Sequence, residues 1–509
     1  MLPQLVPYDQ FNQDLESNTH PLDWKNPEPK GRYNMVVIGG GTAGLVTAAI
    51  SAGLGAKTAL IEKDLLGGDC LNVGCVPSKA LLRVARCLGE IGLGESLGIS
   101  YGGDVGVDFT KVMQRMRSLR ASISRHDSAR RFTEMGVDVF FGQGQFIGNR
   151  SIEVAGSCGD RKMTFAKACI ATGGKAGIPA IPGLESAGYL TNETVFSLTE
   201  IPQRLMVIGG GPIGVELAQA FARFGSQVCL LERGHHLLSR DDSDAARIIK
   251  QALLDDGVEI IENATLERVS QRDSTKTLTI RQKGLQIERE TDEILLAVGR
   301  VPNVNGLNLG SAGIQFSETD GIQVNRRLQT SNRHVFAAGD VASKYQFTHA
   351  ADFMARAVIQ NALFPGPKKN VDQMIIPWAT YTTPELAHVG LNPTSAESDG
   401  VELQSFTQEF RELDRAVLDG TTSGFVRIHV RKGSDQIVGA TVVGPHAGDL
   451  ICEIALAMSQ RVGLKRIAGV IHPYPTYAES IRKIGDAYQK SRFTGIKKRL
   501  LEHWFRWIR

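Results

Sequence analysis

Leu66-Gly-Gly-Asp-Cys-Leu-Asn-Val-Gly-Cys-Val-Pro-Ser-Lys79 is the stretch on which the reading of this chain turns. It places two cysteines, Cys70 and Cys75, five residues apart at a helix entrance. On a regular helix, Cα atoms at that spacing lie about 8.6 Å apart, beyond the roughly 7 Å that a disulfide bridges. A redox-active pair therefore needs an irregular segment between its members. Gly74 permits that bend, and Pro77 suits the first turn of a helix beginning just after Cys75, where a missing N–H costs nothing. Cys75 then sits at the positive end of a helix dipole, which lowers a thiol pKa and holds a thiolate. Lys79, four residues on, shares that helical face and adds positive charge. A bare pair at this spacing is equally two buried structural cysteines or half of a zinc site, and the flanking chain has to separate these readings.

Upstream, Met35-Val-Val-Ile38 reads as a short buried strand entering Gly39-Gly-Gly41-Thr42-Ala43-Gly44, with a helix from Leu45 to Ala52. Thr58-Ala-Leu-Ile61 gives a second strand ending at Glu62, followed by Lys63. Strand, glycine turn, helix and acid together make a dinucleotide site, whose amides hold a pyrophosphate and whose acid meets ribose hydroxyls. The glycine motif by itself is weak evidence. The unit recurs at Met206-Val-Ile-Gly209-Gly-Gly211-Pro-Ile213-Gly214, and Glu232 follows Gly209 by the same 23 residues that separate Glu62 from Gly39. Two such units imply two dinucleotides. The first, directly before the cysteine pair, is expected to take FAD. The second is expected to take the nicotinamide carrier, since hydride must enter a flavin from somewhere.

Gly67 to Lys79 resembles the active-site signature of the FAD-dependent pyridine nucleotide-disulfide oxidoreductases, a family that includes dihydrolipoamide dehydrogenase, glutathione reductase and mercuric reductase. The resemblance implies an α/β fold with two Rossmann-like dinucleotide-binding domains, for FAD and NAD(P), plus a C-terminal α+β dimerisation domain. It makes Cys70 the interchange thiol, Cys75 the flavin charge-transfer partner, and Lys79 a neighbour of the flavin N5. Ala168-Cys-Ile-Ala-Thr172-Gly173-Gly is similar to the family's Ala-Thr-Gly crossing. Glu293 to Asn303, with Gly299 and Arg300, is similar to its Gly-Arg-x-Pro-Asn segment, and His334-Val-Phe-Ala-Ala-Gly339-Asp340 to the segment that meets the FAD ribityl chain and phosphates. On this basis FAD is expected at Gly39, Gly41, Thr42, Ala43, Gly44, Glu62, Lys63, Gly68, Asp69, Lys79, Thr172, Gly173, Arg300, Gly339 and Asp340. NAD(P) is expected at Gly209, Gly211, Ile213, Gly214, Glu232, Arg233 and Gly299. Glu216 is either the family glutamate that pairs with Lys79 or a first-turn acid complementing its helix dipole. Glu232 favours NADH by repelling a 2′-phosphate, whereas Arg233, His235 and His236 could answer one and leave NADPH open.

The expected organisation is an extension at 1–33 laid on the surface as an extended arm, a first FAD segment at 34–190, and an NAD(P) domain at 191–305. A second FAD segment follows at 306–368, then a dimerisation domain at 369–490 and a basic amphipathic helix at 491–509. Residues 83–135 read as one or two long packing helices around the polar Asp104–Asp108 region. The strands Gly424–Val430 and Ile437–Val443 and a helix from Ala447 to about Val462 resemble the family's interface domain, which makes the partner a second copy of the chain.

Within that domain, Ile471-His-Pro-Tyr-Pro-Thr-Tyr-Ala-Glu479 departs from the His-Pro-Thr-x-x-Glu of the thiol-reducing members. Tyr474 stands where their histidine stands, Glu479 keeps the glutamate, and His472 lies two residues too early. A phenol near pKa 10 is a poor base at neutral pH. The segment is similar to that of mercuric reductases, which carry tyrosine here, yet the chain lacks their C-terminal vicinal cysteines and their N-terminal Cys-x-x-Cys module. The expected acceptor is a disulfide or a thiol-bound metal such as Hg(II). Dihydrolipoamide dehydrogenase, a quinone-type reductase at a membrane surface and a non-enzymatic flavin redox sensor are the alternatives.

The 509 residues exceed one core and call for three or more domains. A net charge of +3 with no arginine-rich tract gives no reason to expect nucleic acid, and no resident metal site is expected. Seven cysteines with a single suggestive pair fit a cytoplasmic chain rather than a secreted disulfide framework. No 18-residue apolar run occurs. In the tail, Ile496, Leu500, Leu501, Trp504, Phe505, Trp507 and Ile508 share one broad helical face among Lys497, Lys498, Arg499, Arg506 and Arg509. Residues 494–509 are thus read either as a helix packed on protein or as a peripheral membrane contact.

Overall fold

The computed structural model describes residues 5–100, 105–156, 159–273, 275–493 and 495–509. Asp104, Cys158 and Thr494 lie outside the described residues. The chain divides into two compact units, one of 1–209, 220–231 and 264–374, the other of 210–219, 232–263 and 375–509.

The first unit begins with a helix, α1 (Gln10–Thr19), where an extended arm was expected. Asp9 caps it by accepting the Asn12 N–H at 3.0 Å, and Leu15 and Thr19 are fully buried. A side-chain cap plus an apolar residue aimed at the core is enough to fold so polar a segment. Next come β1 (Arg32–Ile38), α2 (Thr42–Gly53) and β2 (Thr58–Glu62). The redox stretch forms α3 (Gly68–Asn72) and α4 (Cys75–Gly92), and α5 (Phe109–Ser124) is capped by Asp108. The expected helical stretch at 83–135 is therefore two long helices, with a short third at Ala129–Glu134.

A seven-stranded sheet carries the FAD-type unit. In it β1 pairs in parallel with β2 and with the strand Arg161–Ile170, β2 with Val137–Phe141, and Val335–Ala337 joins Arg161–Ile170 in parallel. Every residue of β2 is buried, which is the pattern of a parallel sheet covered on both faces. Residues 304–341 pack into the same core as Val36, Ile61 and Phe165, so the chain returns to this sheet after its excursion through the second dinucleotide unit. That second dinucleotide fold, whose strands belong to the first compact unit, repeats the parallel arrangement, Arg204–Ile208 lying between Gln227–Leu231 and Glu293–Leu296.

The second unit is built on a five-stranded antiparallel sheet. Its order is Pro377–Thr380, Glu385–Gly390, Ile437–Gly444, Phe425–Arg431, Leu403–Glu409. The helices Ala447–Ser459 and Glu479–Ser491 contribute Ile451, Ile454, Ile481 and Ile484 to its core. The last helix, Gly495–Trp507, has no buried residue.

Candidate active site

Cys70 lies inside α3 and Cys75 opens α4, with the helical path broken at Val73 and Gly74. That break brings the two sulfurs into hydrogen-bond contact. The contact with Cys75, then burial, push the Cys70 thiol well above its usual range. Gly74 leaves no room for a side chain, since a Cβ there would lie 2.7 Å from the Asp69 carbonyl oxygen. Cys75 is exposed, its Sγ lies 3.5 Å from Thr348 Oγ1, and the N-cap of α4 makes no side-chain bond. The positive end of a helix dipole therefore lies at Cys75. Cys75 and Lys79 line a cavity of about 380 Å³ together with Arg83, Arg115 and Leu119. No disulfide joins Cys70, Cys75, Cys87, Cys169, Cys229 or Cys452, and no group of three or more metal-ligating side chains occurs among the described residues.

The residues expected to hold FAD come together from distant parts of the chain. Gly39 has φ +105°, and a Cβ there would sit 2.3 Å from the Ala171 oxygen; Gly209 repeats this against Ala297 at 2.4 Å. Gly41 caps α2 without a side chain, leaving the first-turn amides for a phosphate. Gly68 approaches Gly41 so closely that a Cβ on it would lie 2.6 Å from the Gly41 Cα. This bare backbone cradle fits a pyrophosphate. Arg300 donates to Asp69 and, at 2.8 Å, to the Gly174 carbonyl, and lies 3.4 Å from Asp340. Burial, ahead of the opposing Arg300 charge, pushes the Asp340 carboxyl up. Gly339 packs beside Ala43, and Thr172 donates to the Asn303 carbonyl at 2.7 Å. Gly173 follows with φ +67°, and Lys63 pairs at the surface with Asp64.

Each dinucleotide unit is latched by its acid. Glu62 accepts the Gly40 N–H at 2.5 Å and the Asp64 N–H at 2.7 Å. Glu232 does the same with Gly210 at 2.6 Å and with Gly234. Arg233 is exposed, whereas His235 bonds Asn263 Oδ1 and His236 bonds the Leu237 carbonyl. Gly211 has open space around it, and Ile213 is 37% exposed in the first turn of Pro212–Phe224. Glu216, buried on that helix, accepts the Tyr381 N–H at 2.8 Å, and Gly299 has φ +115°.

In the second unit, Tyr474 is 69% exposed and its hydroxyl donates to Asp414 Oδ2 at 2.9 Å, a bond that raises the phenol pKa. Glu479 opens the helix Glu479–Ser491 and pairs with Arg482 at 2.9 Å, while its Oε2 is buried with no hydrogen-bond partner. Both nitrogens of His472 are engaged, with Glu453 at 3.0 Å and the Val470 carbonyl at 3.1 Å. Asp414 and Thr348 escaped sequence reading, because each lies far in sequence from the residue it serves and in no motif.

Residues 33–355 match the family model described as pyridine nucleotide-disulphide oxidoreductase, and 376–484 match that family's dimerisation domain. The chain belongs to the pyridine nucleotide-disulphide oxidoreductases, FAD-dependent, NAD(P)-binding enzymes that act on sulfur groups or metal ions. Its dimerisation domain suggests a homodimer. It is 32% identical to a mercuric reductase of Lysinibacillus sphaericus over 90% of this chain and 83% of that one. It is 33% identical to a dihydrolipoyl dehydrogenase of Chlamydia muridarum over 88% of this chain and 95% of that one. Among solved structures, the Cu(II) complex of the HOCl-induced flavoprotein disulfide reductase RclA from Escherichia coli superposes with a TM-score of 0.80 at 30% identity, over 90% of this chain and all of that one. No described helix is long and apolar enough to cross a membrane.

Proposed function

We propose that this chain forms a homodimeric reductase that passes two electrons from NAD(P)H, NADH by preference, through FAD to the Cys70/Cys75 pair. The acceptor is a disulfide or a thiol-bound soft metal ion such as Hg(II). The observation that carries this reading is the contact between Cys70 and Cys75, with Cys75 at the start of α4. FAD, when bound, supplies a two-electron relay between a nicotinamide hydride and a disulfide. Gly41, Gly68 and the first turn of α2 would hold its pyrophosphate, with Asp340, Arg300 and Asp69 beside its ribityl chain. Glu232 orients the nicotinamide carrier, and Lys79 and Glu216 keep their family roles near the flavin. Cys70 is the thiol that meets the acceptor.

The metal-bound acceptor is favoured by Tyr474. Its hydroxyl is bonded to Asp414, which holds it in the neutral phenol form, so it offers a hydrogen bond or a ligand and not a base. A disulfide substrate needs a base to strip and return the Cys70 proton. A soft metal ion displaces that proton from sulfur itself. The names of the mercuric reductases and of the Cu(II) complex point the same way. Tyr474 would reach the pair of the other subunit, with Glu479 behind it. NADH oxidation by the holoenzyme should be compared with Hg(II) in excess thiol, Cu(II), lipoamide, oxidised glutathione and a quinone. Turnover with the thiol-bound metals at least tenfold above the rest is expected, and turnover with the quinone alone would sink the proposal.

A second observation favours an anionic membrane surface as a partner in the cytoplasm. The helix Gly495–Trp507 buries no residue, and Leu500, Trp504 and Trp507 stand in solvent beside Lys498, Arg499 and Arg506. Tryptophans that seek the headgroup layer and cations that seek anionic lipid lie together on one short helix.

A further inference from the structure

Residues 5–32 precede the stretch that matches the family, yet they touch the redox segment repeatedly. The Thr19 carbonyl accepts the Leu66 N–H at 3.1 Å, His20 Nδ1 meets the Asp64 carbonyl, and Leu15 packs with Leu65 and Leu71. Another link runs through Arg120, a residue of α5 that is 5% exposed. Its Nη2 donates to Asn12 Oδ1 at 2.7 Å and its Nη1 donates to the Asn72 carbonyl at 2.7 Å. Asn72 is the last residue of α3, two beyond Cys70 and three before Cys75.

The carbonyls that end a helix lack partners within it, and a cation there also complements the dipole. Arg120 supplies both at the seam where the chain must leave α3 to bring Cys75 under Cys70. A planar guanidinium sets the angle between its two acceptors, which an ammonium on a flexible stem does not. The arm side of this fork is itself fixed. Asn12 donates from its backbone to Asp9 and, through Nδ2, to the Pro7 carbonyl at 2.7 Å, while Asp9 Oδ2 takes Arg117 Nε at 2.6 Å. Displacing α1 would move Asn12, and through Arg120 the end of α3.

We propose that Arg120 is a positioning residue for the Cys70/Cys75 pair and that α1 aims it, so that the redox poise of the two thiols depends on residues lying before the family region. This rests on reading the two cysteines as an exchanging pair. That pair is opened by dithiothreitol in a balanced exchange, in which the Cys70–Cys75 disulfide gains two electrons and two protons and dithiothreitol becomes its cyclic disulfide. Full-length, FAD-loaded wild type, Arg120→Met, Arg120→Lys and Asn12→Leu should be equilibrated in graded mixtures of reduced and oxidised dithiothreitol. Free Cys70 and Cys75 are then counted by alkylation and mass spectrometry. Arg120→Met and Asn12→Leu are expected to shift the equilibrium about tenfold toward the disulfide, which is about 30 mV for a two-electron couple, with Arg120→Lys between them and wild type. Absorbance and circular dichroism should stay at wild-type values. Midpoints within twofold of wild type in Arg120→Met and Asn12→Leu overturn the proposal. If Arg120→Met does not fold, the other two variants carry the same comparison. Failure of all three to fold also overturns it, since the contact is then a stability element. A wild type that never forms the disulfide refutes the exchanging pair instead.

Discussion

Glu232 holds the Gly210 amide at 2.6 Å through one carboxylate oxygen, and its other oxygen takes the Gly234 N–H. The carboxylate is thereby locked at the end of its strand with lone pairs left over for a ribose diol. A 2′-phosphate brought there would meet a fixed negative charge. Two of the side chains that could answer it, His235 and His236, are already bonded to Asn263 and Leu237. Wild type should therefore show a higher kcat/KM with NADH than with NADPH. Glu232→Ala should move that ratio toward NADPH by about tenfold, roughly the value of one charge-assisted hydrogen bond. A wild-type preference for NADPH would refute the assignment.

The two thiols should behave unequally. With Cys75 at the positive end of α4, reduced enzyme at neutral pH is expected to show a long-wavelength absorbance from a thiolate beside the flavin. Cys75→Ser should abolish it, whereas Cys70→Ser should keep it and strengthen it, because Cys75 then loses its competitor for charge. A band that survives in Cys75→Ser would mean the roles are reversed.

Tyr474→His should raise turnover with lipoamide about tenfold or more, since an imidazole titrates near neutral pH and the phenol does not. Turnover with Hg(II) in excess thiol should not rise in parallel. A folded, FAD-loaded variant with no gain on lipoamide would show that position 474 does not face the dithiol.

Much of this site is legible in the amino-acid sequence. The glycine turns and their acids can be read because a backbone that must touch a phosphate tolerates few residue types, and that restriction is local in sequence. The break between Cys70 and Cys75 follows from a distance alone. The partners of these residues are not legible. Asp414 lies 60 residues from Tyr474 and Thr348 lies 273 from Cys75, so only the tertiary fold pairs them. The N-terminal helix escapes the sequence for a different reason. Gln10–Thr19 is polar nearly throughout, and its folding rests on the Asp9 cap and on Leu15, Asn12 and Thr19 turned inward, which periodicity does not reveal.

Burial pushes the Asp241 carboxyl up to about 6, against the indole N–H of Trp378 that bonds it at 2.8 Å. Between about pH 4 and 6 the folded state therefore binds a proton that the unfolded chain has released. The stabilising contribution is complete below about pH 4 and is lost as pH rises through 6. Asp241→Asn keeps an acceptor for Trp378 and removes the buried charge. It should be more stable than wild type at pH 7.5, by on the order of 2 kcal/mol, and not at pH 4. Equal denaturation midpoints for the two proteins at pH 7.5 would contradict this.

Full-length protein should sediment with vesicles containing anionic lipid at low salt, less at high salt, and little with zwitterionic vesicles. A chain ending at Ser491 should remain in solution while keeping FAD and NADH oxidation. Identical sedimentation of the two forms would return the helix Gly495–Trp507 to a role in protein packing.

The space beside the Asp69 carbonyl, too small for even one methyl group at position 74, bears on how such genes are interpreted. A copy in which codon 74 had drifted to alanine would keep both cysteines, both nucleotide turns and every residue by which the chemistry is recognised. A motif search would score it as active. The added carbon would nevertheless displace the backbone that carries Cys70, and two thiols that no longer meet cannot be oxidised together. Loss of function by such a route leaves no mark on any residue that does chemistry.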